Sequence, residues 1–293
     1  MTSCGDLIDE CTAILHGWGS TQDRVTPLSL NVGGADNTFT VDFAFGQAVG
    51  ISPGVVEIDQ EQLYVTAVDP SSGLCTLANG FGRGYGSTTA APHTAGSRVI
   101  SRPKFPRIWL FNQLNEIIGA VFPDLFDVKR LLTVVTYPLN SYALPSADPV
   151  LMLDAQWQDP IGNWNRCPSY EIDPYDNSFR LHSGATPGRP LRILYGTEPQ
   201  PFTDESDDFE ATTGLPSSCS DVLTLGVVAK SVPGLDISRA QLSSVEQSDR
   251  SRVVPPNAGI TAGKYLEGVY EKRLQNEAAA LRKPFRARMV RVS

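Results

Sequence analysis

The spacing of apolar positions along the chain changes several times. Over residues 4–15, Leu7, Ile8, Cys11, Ile14 and Leu15 recur at three- and four-residue intervals, with Asp6, Asp9 and Glu10 between them. That spacing predicts an amphipathic helix with acids near its positive end, closed by "HGWGS". From about Thr26 to Arg102 the chain turns to short runs, "FTVDFAF", "GVVEID", "QLYVTAVD" and "LCTLAN", cut by glycine- and proline-rich links. These predict a compact β module, with "VDPSSG" as a hairpin connection.

Helical spacing returns in "RPKFPRIWLFNQLNEIIGAVFPDLF", where Ile108, Phe111, Leu114, Asn115 and Ile118 share a face. Pro106 suits a first helical turn and Pro123 stops or bends the helix. Trp109, Phe111, Phe122 and Phe126 are expected in the core, with an interface stripe as the alternative. Residues 129–202 again read as strands: "LLTVVTY", "SYALP", "PVLMLDAQWQ", "YEID", "FRLH" and "LRILYG". An acidic run, "TEPQPFTDESDDFE", leads to an apolar helix in "PSSCSDVLTLGVVAKSV", whose serines and aspartate can cap its free N–H groups. A more polar helix is expected over 237–250. A last one runs from about Thr261 to Arg282, with Tyr265, Leu266, Val269, Tyr270, Leu274 and Leu281 on its apolar side, and Pro284 breaks it.

The expected fold class is therefore α+β: a helical bundle assembled from N-terminal, central and C-terminal helices, with two inserted, mainly β modules. The expected segments are 1–20, 21–103 (first β module), 104–127, 128–205 (second β module), 206–283 and a basic arm, 284–293.

Composition narrows the function. A net charge of −8 over 293 residues disfavours a protein that grips a phosphate backbone, which needs clustered Lys and Arg. Five cysteines without a CxxC pair argue against a disulfide framework or structural zinc and for a reducing compartment. An acidic start and the lack of a long apolar run lead us to expect a soluble chain without targeting or membrane segments.

The stretch "GFGRGYGSTTAAPHTAG", Gly80 to Gly96, invites a phosphate-loop reading. It has neither GxxxxGK[ST] nor GxGxxG, and no helix is predicted after it. "RGYG" opens like an RNA-recognition signature, but Ser87, Thr88 and Thr89 replace its apolar remainder. The favoured reading is a tight, irregular turn in which Arg83, Tyr85 and His93 pair locally or meet a neighbouring subunit. His16, His93 and His182 lie in different segments, so no histidine metal cluster is expected, nor any other cofactor. No GxSxG elbow is present. Cys219 near a helix start has the position of an activated thiol, although an inert buried one is the commoner case. Asp204, Glu205, Asp207, Asp208 and Glu210 lack calcium-loop spacing and read as a solvated loop or a charged contact surface in an oligomer. No enzyme is expected.

Residues 69–99, "DPSSGLCTLANGFGRGYGSTTAAPHTAGSRV", resemble a segment found in structural proteins of tailed bacteriophages. With "LIDECTAIL", "LNEIIGAVFPDLF", "LPSSCSDVLTLGVVAKSVPG" and "YLEGVYEKRLQNEAAALRK", most of the chain resembles head-to-tail adaptor (connector) proteins of long-tailed phages that infect actinobacteria. The resemblance implies a non-enzymatic ring, of about twelve copies, at the virion neck between capsid and tail. It would sit between the portal and a stopper or tail-terminator protein, with genomic DNA passing through it and no membrane involved. By position, Arg282, Lys283, Arg286, Arg288 and Arg291 would then contact the portal, while Tyr265, Leu266, Val269 and Leu274 pack the bundle. A minor tail or baseplate protein and a hydrolase with an unrecognised site are the alternatives.

Overall fold

A reciprocal cap starts the first helix, α1 (Cys4–Trp18): the Asp6 carboxylate accepts from the Ser3 amide at 2.8 Å, and the Ser3 hydroxyl accepts from the Asp6 amide at 3.1 Å. Leu7, Ile8, Cys11 and Leu15 are buried, as the spacing predicts, whereas Ile14 is half-buried and Cys4, outside the predicted face, is buried too. The computed structural model describes residues 2–18, 23–42, 51–136, 141–144, 151–167, 169–173, 178–183, 186–243 and 258–285. It is a mixed α+β fold with several helices and three antiparallel sheets. The chain divides into two compact units. One comprises Ile8–Gln113 and Ile237–Arg239; the other comprises Met1–Leu7, Leu114–Asp236 and Ala240–Ser293.

The unit containing Ile8–Gln113 holds a six-stranded sheet built from β1 (Arg24–Pro27), β2 (Thr38–Thr40), β3 (Gly54–Ile58), β4 (Glu61–Val68), β5 (Leu74–Leu77) and β6 (Arg98–Ser101), in the order β1-β6-β3-β4-β5-β2. Val56, Ile58, Leu63, Val65, Cys75 and Val99 are fully buried at its core. The predicted hairpin between β4 and β5 is present. Asp69 closes it, accepting from the Ser71 amide and from the hydroxyls of Ser71 and Ser72. These bonds hold its carboxyl at about 2. The sheet adds β1 and β6 to the predicted strands: "RVTP" and "RVIS" are too short to show alternation, and β1 pairs across the whole module with β6, which in turn pairs with β3. Of "FTVDFAF", residues 43–45 lie outside the described residues.

Helix α2 (Arg107–Ala120) begins where the Arg107 amide donates to the buried Glu57 carboxylate at 2.8 Å. Its buried positions are Leu110, Leu114, Ile117 and Ile118. The expected face is thus rotated: Ile108, Phe111 and Asn115 are only half-buried. Of the four aromatic residues near it, Phe126 is fully buried, Phe111 and Phe122 are half-buried, and Trp109 is exposed.

The other unit contains two sheets. Strands β7 (Asp127–Val134), β8 (Ser141–Ala143), β9 (Leu151–Gln158), β10 (Trp164–Arg166), β11 (Ser169–Asp173), β12 (Ser178–Ser183) and β13 (Pro190–Thr197) split into a four-stranded sheet, β10-β9-β13-β7, and a three-stranded one, β11-β12-β8. One apolar cluster joins them, with Ala155, Phe179, Leu191 and Ile193 at its centre.

After the short α3 (Phe209–Thr213), N-capped by Asp208, come α4 (Ser220–Ser243) and α5 (Ala258–Arg282). α4 runs through Pro233 and takes in both the predicted apolar helix and the start of the polar one; residues 244–250 lie outside the described residues. Burial explains the continuity: Val222, Leu223, Val227, Val228 and Val232 are all at or below 2% exposure, so packing outweighs the local cost of the proline. α2, α4 and α5 meet at Gly226, where an added Cβ would lie 3.0 Å from both Ile117 and Tyr270. Arg273 ties α5 to Asp221 on α4 at 2.7 Å and pairs along α5 with Glu277 at 2.7 Å, to which the Ser218 hydroxyl donates at 2.8 Å.

Candidate functional site

The glycine-rich stretch folds over the start of β4, held by two isolated bridges, Gln62 to Tyr85 and Val32 to His93. Between them Arg83 reaches inward. Its Nε and Nη2 donate to the two oxygens of Glu61, each at 2.8 Å, and Nη2 also donates to the Ala91 carbonyl at 2.6 Å. Nη1 donates to the carbonyls of Gly33 at 2.5 Å and Asp36 at 3.1 Å. All five donors of the guanidinium are thereby used.

Glu61, 2% exposed, also accepts from the amides of Gly84 at 2.9 Å and Ala91 at 3.0 Å. His93, 3% exposed, completes the group, with Nε2 2.9 Å from Glu61 and Nδ1 2.8 Å from Asp59. Each ring nitrogen of His93 thus lies within hydrogen-bond reach of a different carboxylate. Asp59 sits in the two-residue β3–β4 turn at φ 53°, and its carboxylate also accepts from Ser97 at 3.3 Å.

Burial pushes the Glu61 carboxyl up, but the bonds from Arg83, Ala91, Gly84 and His93 outweigh it and hold the group at about 2. Unfolded, the same carboxyl protonates near 4.5, so the unfolded chain takes up the proton first as pH falls. Stability from this group is complete above about pH 4.5 and is lost progressively as pH falls to about 2; the shift corresponds to about 3 kcal/mol. Urea midpoints measured across this interval are expected to fall, and Glu61→Gln is expected to flatten that fall.

This knot joins three segments distant in sequence, 33–36, 59–61 and 83–93. Its side chains are spent on one another, and the chemistry of the cluster is that of a clasp. Sequence reasoning identified Arg83 and His93 but missed Glu61 and Asp59. The available signal was "EIDQE", three acids around a hairpin turn whose alternation carries a carboxylate inward. Outside the clasp, Tyr64 stands 5.7 Å from exposed Phe81 and 5.2 Å from Tyr85, ring centre to ring centre.

Apart from His16, the remaining candidates lie in the other unit. Leu266 is buried, Val269 and Leu274 are half-buried, and Tyr265 is 69% exposed. Arg282 donates to the Pro123 carbonyl at 2.9 Å and lies 3.3 Å from Asp124; Lys283 is exposed. Arg286, Arg288 and Arg291 lie outside the described residues. Cys219 is buried, and burial together with the charge of Glu277 pushes its thiol up to about 11, the reverse of an activated nucleophile. The acidic residues 204–210 organise a turn: Asp207 accepts from the amides of Thr203 and Asp204 and from the Thr203 hydroxyl, and Asp204 accepts from Ser206. His16 lies 3.1 Å from Asp23, and His182 lies 3.4 Å from Glu171.

Large apolar side chains also stand exposed on ordered elements here: Val128, Leu132 and Val134 on β7, Ile161 at the tip of the β9–β10 hairpin, and Trp164 on β10. That hairpin is fixed from within, because Asp159 accepts from the amides of Ile161 and Asn163. Compared with known proteins, the chain matches no family model and none of the curated proteins.

Proposed function

We propose that this chain is a structural virion protein, a head-to-tail adaptor that forms a ring between the portal and the stopper or tail and makes part of the DNA passage. The observation that carries this reading is the row of exposed apolar side chains along one side of β7, Val128 at 38%, Leu132 at 55% and Val134 at 46% exposure, with Ile161 at 87% and Tyr265 at 69% elsewhere in the same unit. Single exposed apolar residues are ordinary, but a row of them along one side of an ordered strand marks a surface that something covers. The resemblance of the sequence to phage connectors names the assembly that would do so. In this reading α2, α4 and α5 belong to a helical bundle that forms the ring body, and the strand-rich segments are insertions in it. The net charge of −8 suits a lumen through which DNA slides without adhering. The basic segment beginning at Arg282 and Lys283 is the portal contact.

Native mass measurement of the purified protein, alone and with portal rings, tests this. A ring of about twelve copies that binds portal is expected. Removing residues 284–293 is expected to abolish that binding while leaving circular dichroism unchanged. A trimer or hexamer indifferent to portal would favour a tail or baseplate protein, and a monomer that hydrolyses esters or peptides would favour an enzyme.

A further inference from the structure

We infer that the outer face of the β10-β9-β13-β7 sheet is a docking surface for a second copy of this chain, and that the acidic segment 198–210 of that copy occupies it. The inference deepens the ring reading by naming the two surfaces that meet, and it rests on that reading for the expectation that copies of this chain associate at all.

Strand register defines the face. On β7, Val128, Arg130, Leu132 and Val134 point to one side; Leu131 points to the other, into the apolar cluster with Ile193. Across the pairs, Arg130 lies opposite Leu194, Leu132 opposite Arg192 and Val134 opposite Pro190. Arg192 in turn lies opposite Gln156 on β9, which is opposite Arg166 on β10. The outer side is therefore a mixed row of apolar and basic groups. The Arg192 guanidinium lies over Trp164 at 4.5 Å, which keeps that part of the face flat and positive. β7 is also an edge strand, eight residues long, and all eight pair with β13 on its inner edge. A long edge with an exposed apolar row is a template for association.

Charge selects the occupant. Three arginines, Arg130, Arg166 and Arg192, share the face with one acid, Asp154, which Arg166 pairs at 3.2 Å; three minus one leaves +2 on a chain of net −8. Residues 198–210 carry six acids, Glu198, Asp204, Glu205, Asp207, Asp208 and Glu210, and no Lys or Arg. That segment is already ordered. Buried Phe202 and Phe209 anchor it, and its Glu205 and Asp207 carbonyls accept from the amides of Gly5 and Cys4 at 2.8 and 2.9 Å. Docking would thus order little that is not ordered beforehand, which favours binding.

The segment of the same copy is in the wrong place to fill the face. It begins directly after Thr197, which pairs with Asp127, whereas Leu132 and Val134 pair near Pro190 at the other end of β13. Eight residues of strand separate the two ends by about 23 Å. Two different surfaces on each copy make a head-to-tail contact, and such contacts close into rings when the rotation permits.

Charge reversal tests this with a mixture. Arg130→Glu with Arg166→Glu takes the face from +2 to −2 and gives a chain whose face and segment are both negative; Glu198→Lys, Asp204→Lys, Glu205→Lys and Glu210→Lys together take the segment from −6 to +2 and give one in which both are positive. Each variant alone is expected to associate at least about tenfold more weakly than wild type by sedimentation velocity in 0.1 M salt, whereas the equimolar mixture regains wild-type assembly. Recovery in the mixture shows that both variants fold. Leu132→Asp, checked by circular dichroism, is expected to weaken assembly without recovery by either partner. Folded variants that assemble like wild type, or a mixture that stays dissociated, would overturn the pairing, as would a wild-type chain that remains monomeric. If wild type forms a portal-binding ring that ignores these substitutions, the ring reading stands and the pairing fails. If the mixture recovers but no ring or portal binding exists, the pairing stands and the adaptor reading fails.

Discussion

Arg83→Ala is expected to lower the unfolding free energy by about 3–5 kcal/mol, read as a shift of the urea midpoint at neutral pH. The substitution removes one partner of a buried ion pair and leaves the other in place. Glu61, 2% exposed, would keep its charge with only the Gly84 and Ala91 amides and His93 beside it. The carbonyls of Gly33, Asp36 and Ala91 would each lose a donor as well. Lysine is expected to recover less than half of the loss, since one ammonium cannot present the planar fork that serves both Glu61 oxygens and three carbonyls. The double change Arg83→Met, Glu61→Leu is expected to cost less than Arg83→Ala, because it removes both charges together. A midpoint for Arg83→Ala within experimental error of wild type would show that the clasp contributes nothing.

The second large effect lies one residue away. Gly82→Ala is expected to destabilise the protein by more than about 3 kcal/mol, whereas Gly80→Ala costs about 1–2 kcal/mol. A Cβ at Gly82 would lie 2.4 Å from the Ala78 carbonyl oxygen, 2.6 Å from the Ala78 nitrogen and 2.7 Å from the Leu77 Cβ. Two of these are backbone atoms, so no side-chain rotation relieves the overlap. The chain there is also tied on both sides, with the Gly82 amide donating to Ala78 and the Gly82 carbonyl accepting from Tyr64, each at 2.9 Å. Gly80 has open space around its Cβ direction and needs only its φ of 83°. Thermal or urea unfolding of the two variants separates crowding from backbone conformation, and equal losses would contradict the assignment.

Local rules made much of this fold legible. α1 follows its spacing, the β4–β5 hairpin follows "DPSSG", and α5 runs close to its predicted limits. What escaped is non-local. β1 and β6 find each other across some seventy residues, a pairing that four-residue strands cannot announce. The strands of the other unit divide into two sheets because β8 pairs with β12 and β7 pairs with β13, a choice made by the common apolar cluster. Pro233 stands as a break in the sequence but lies within a helix whose buried valines hold it together. Glu61 escaped for a related reason: one carboxylate among strand residues is unremarkable until the arginine twenty-two positions away is seen to face it.

By composition, the glycine-rich stretch should be the part of its unit that opens most often to solvent. The clasp reverses that expectation. The Gly84 and Ala91 amides donate to a carboxylate that is itself locked to Arg83, so their exchange with water is expected to slow with the clasp intact and to speed up in Arg83→Ala. The loop and the strands beneath it are therefore expected to open together, so that a segment rich in glycine would share the slow exchange clock of the sheet it covers.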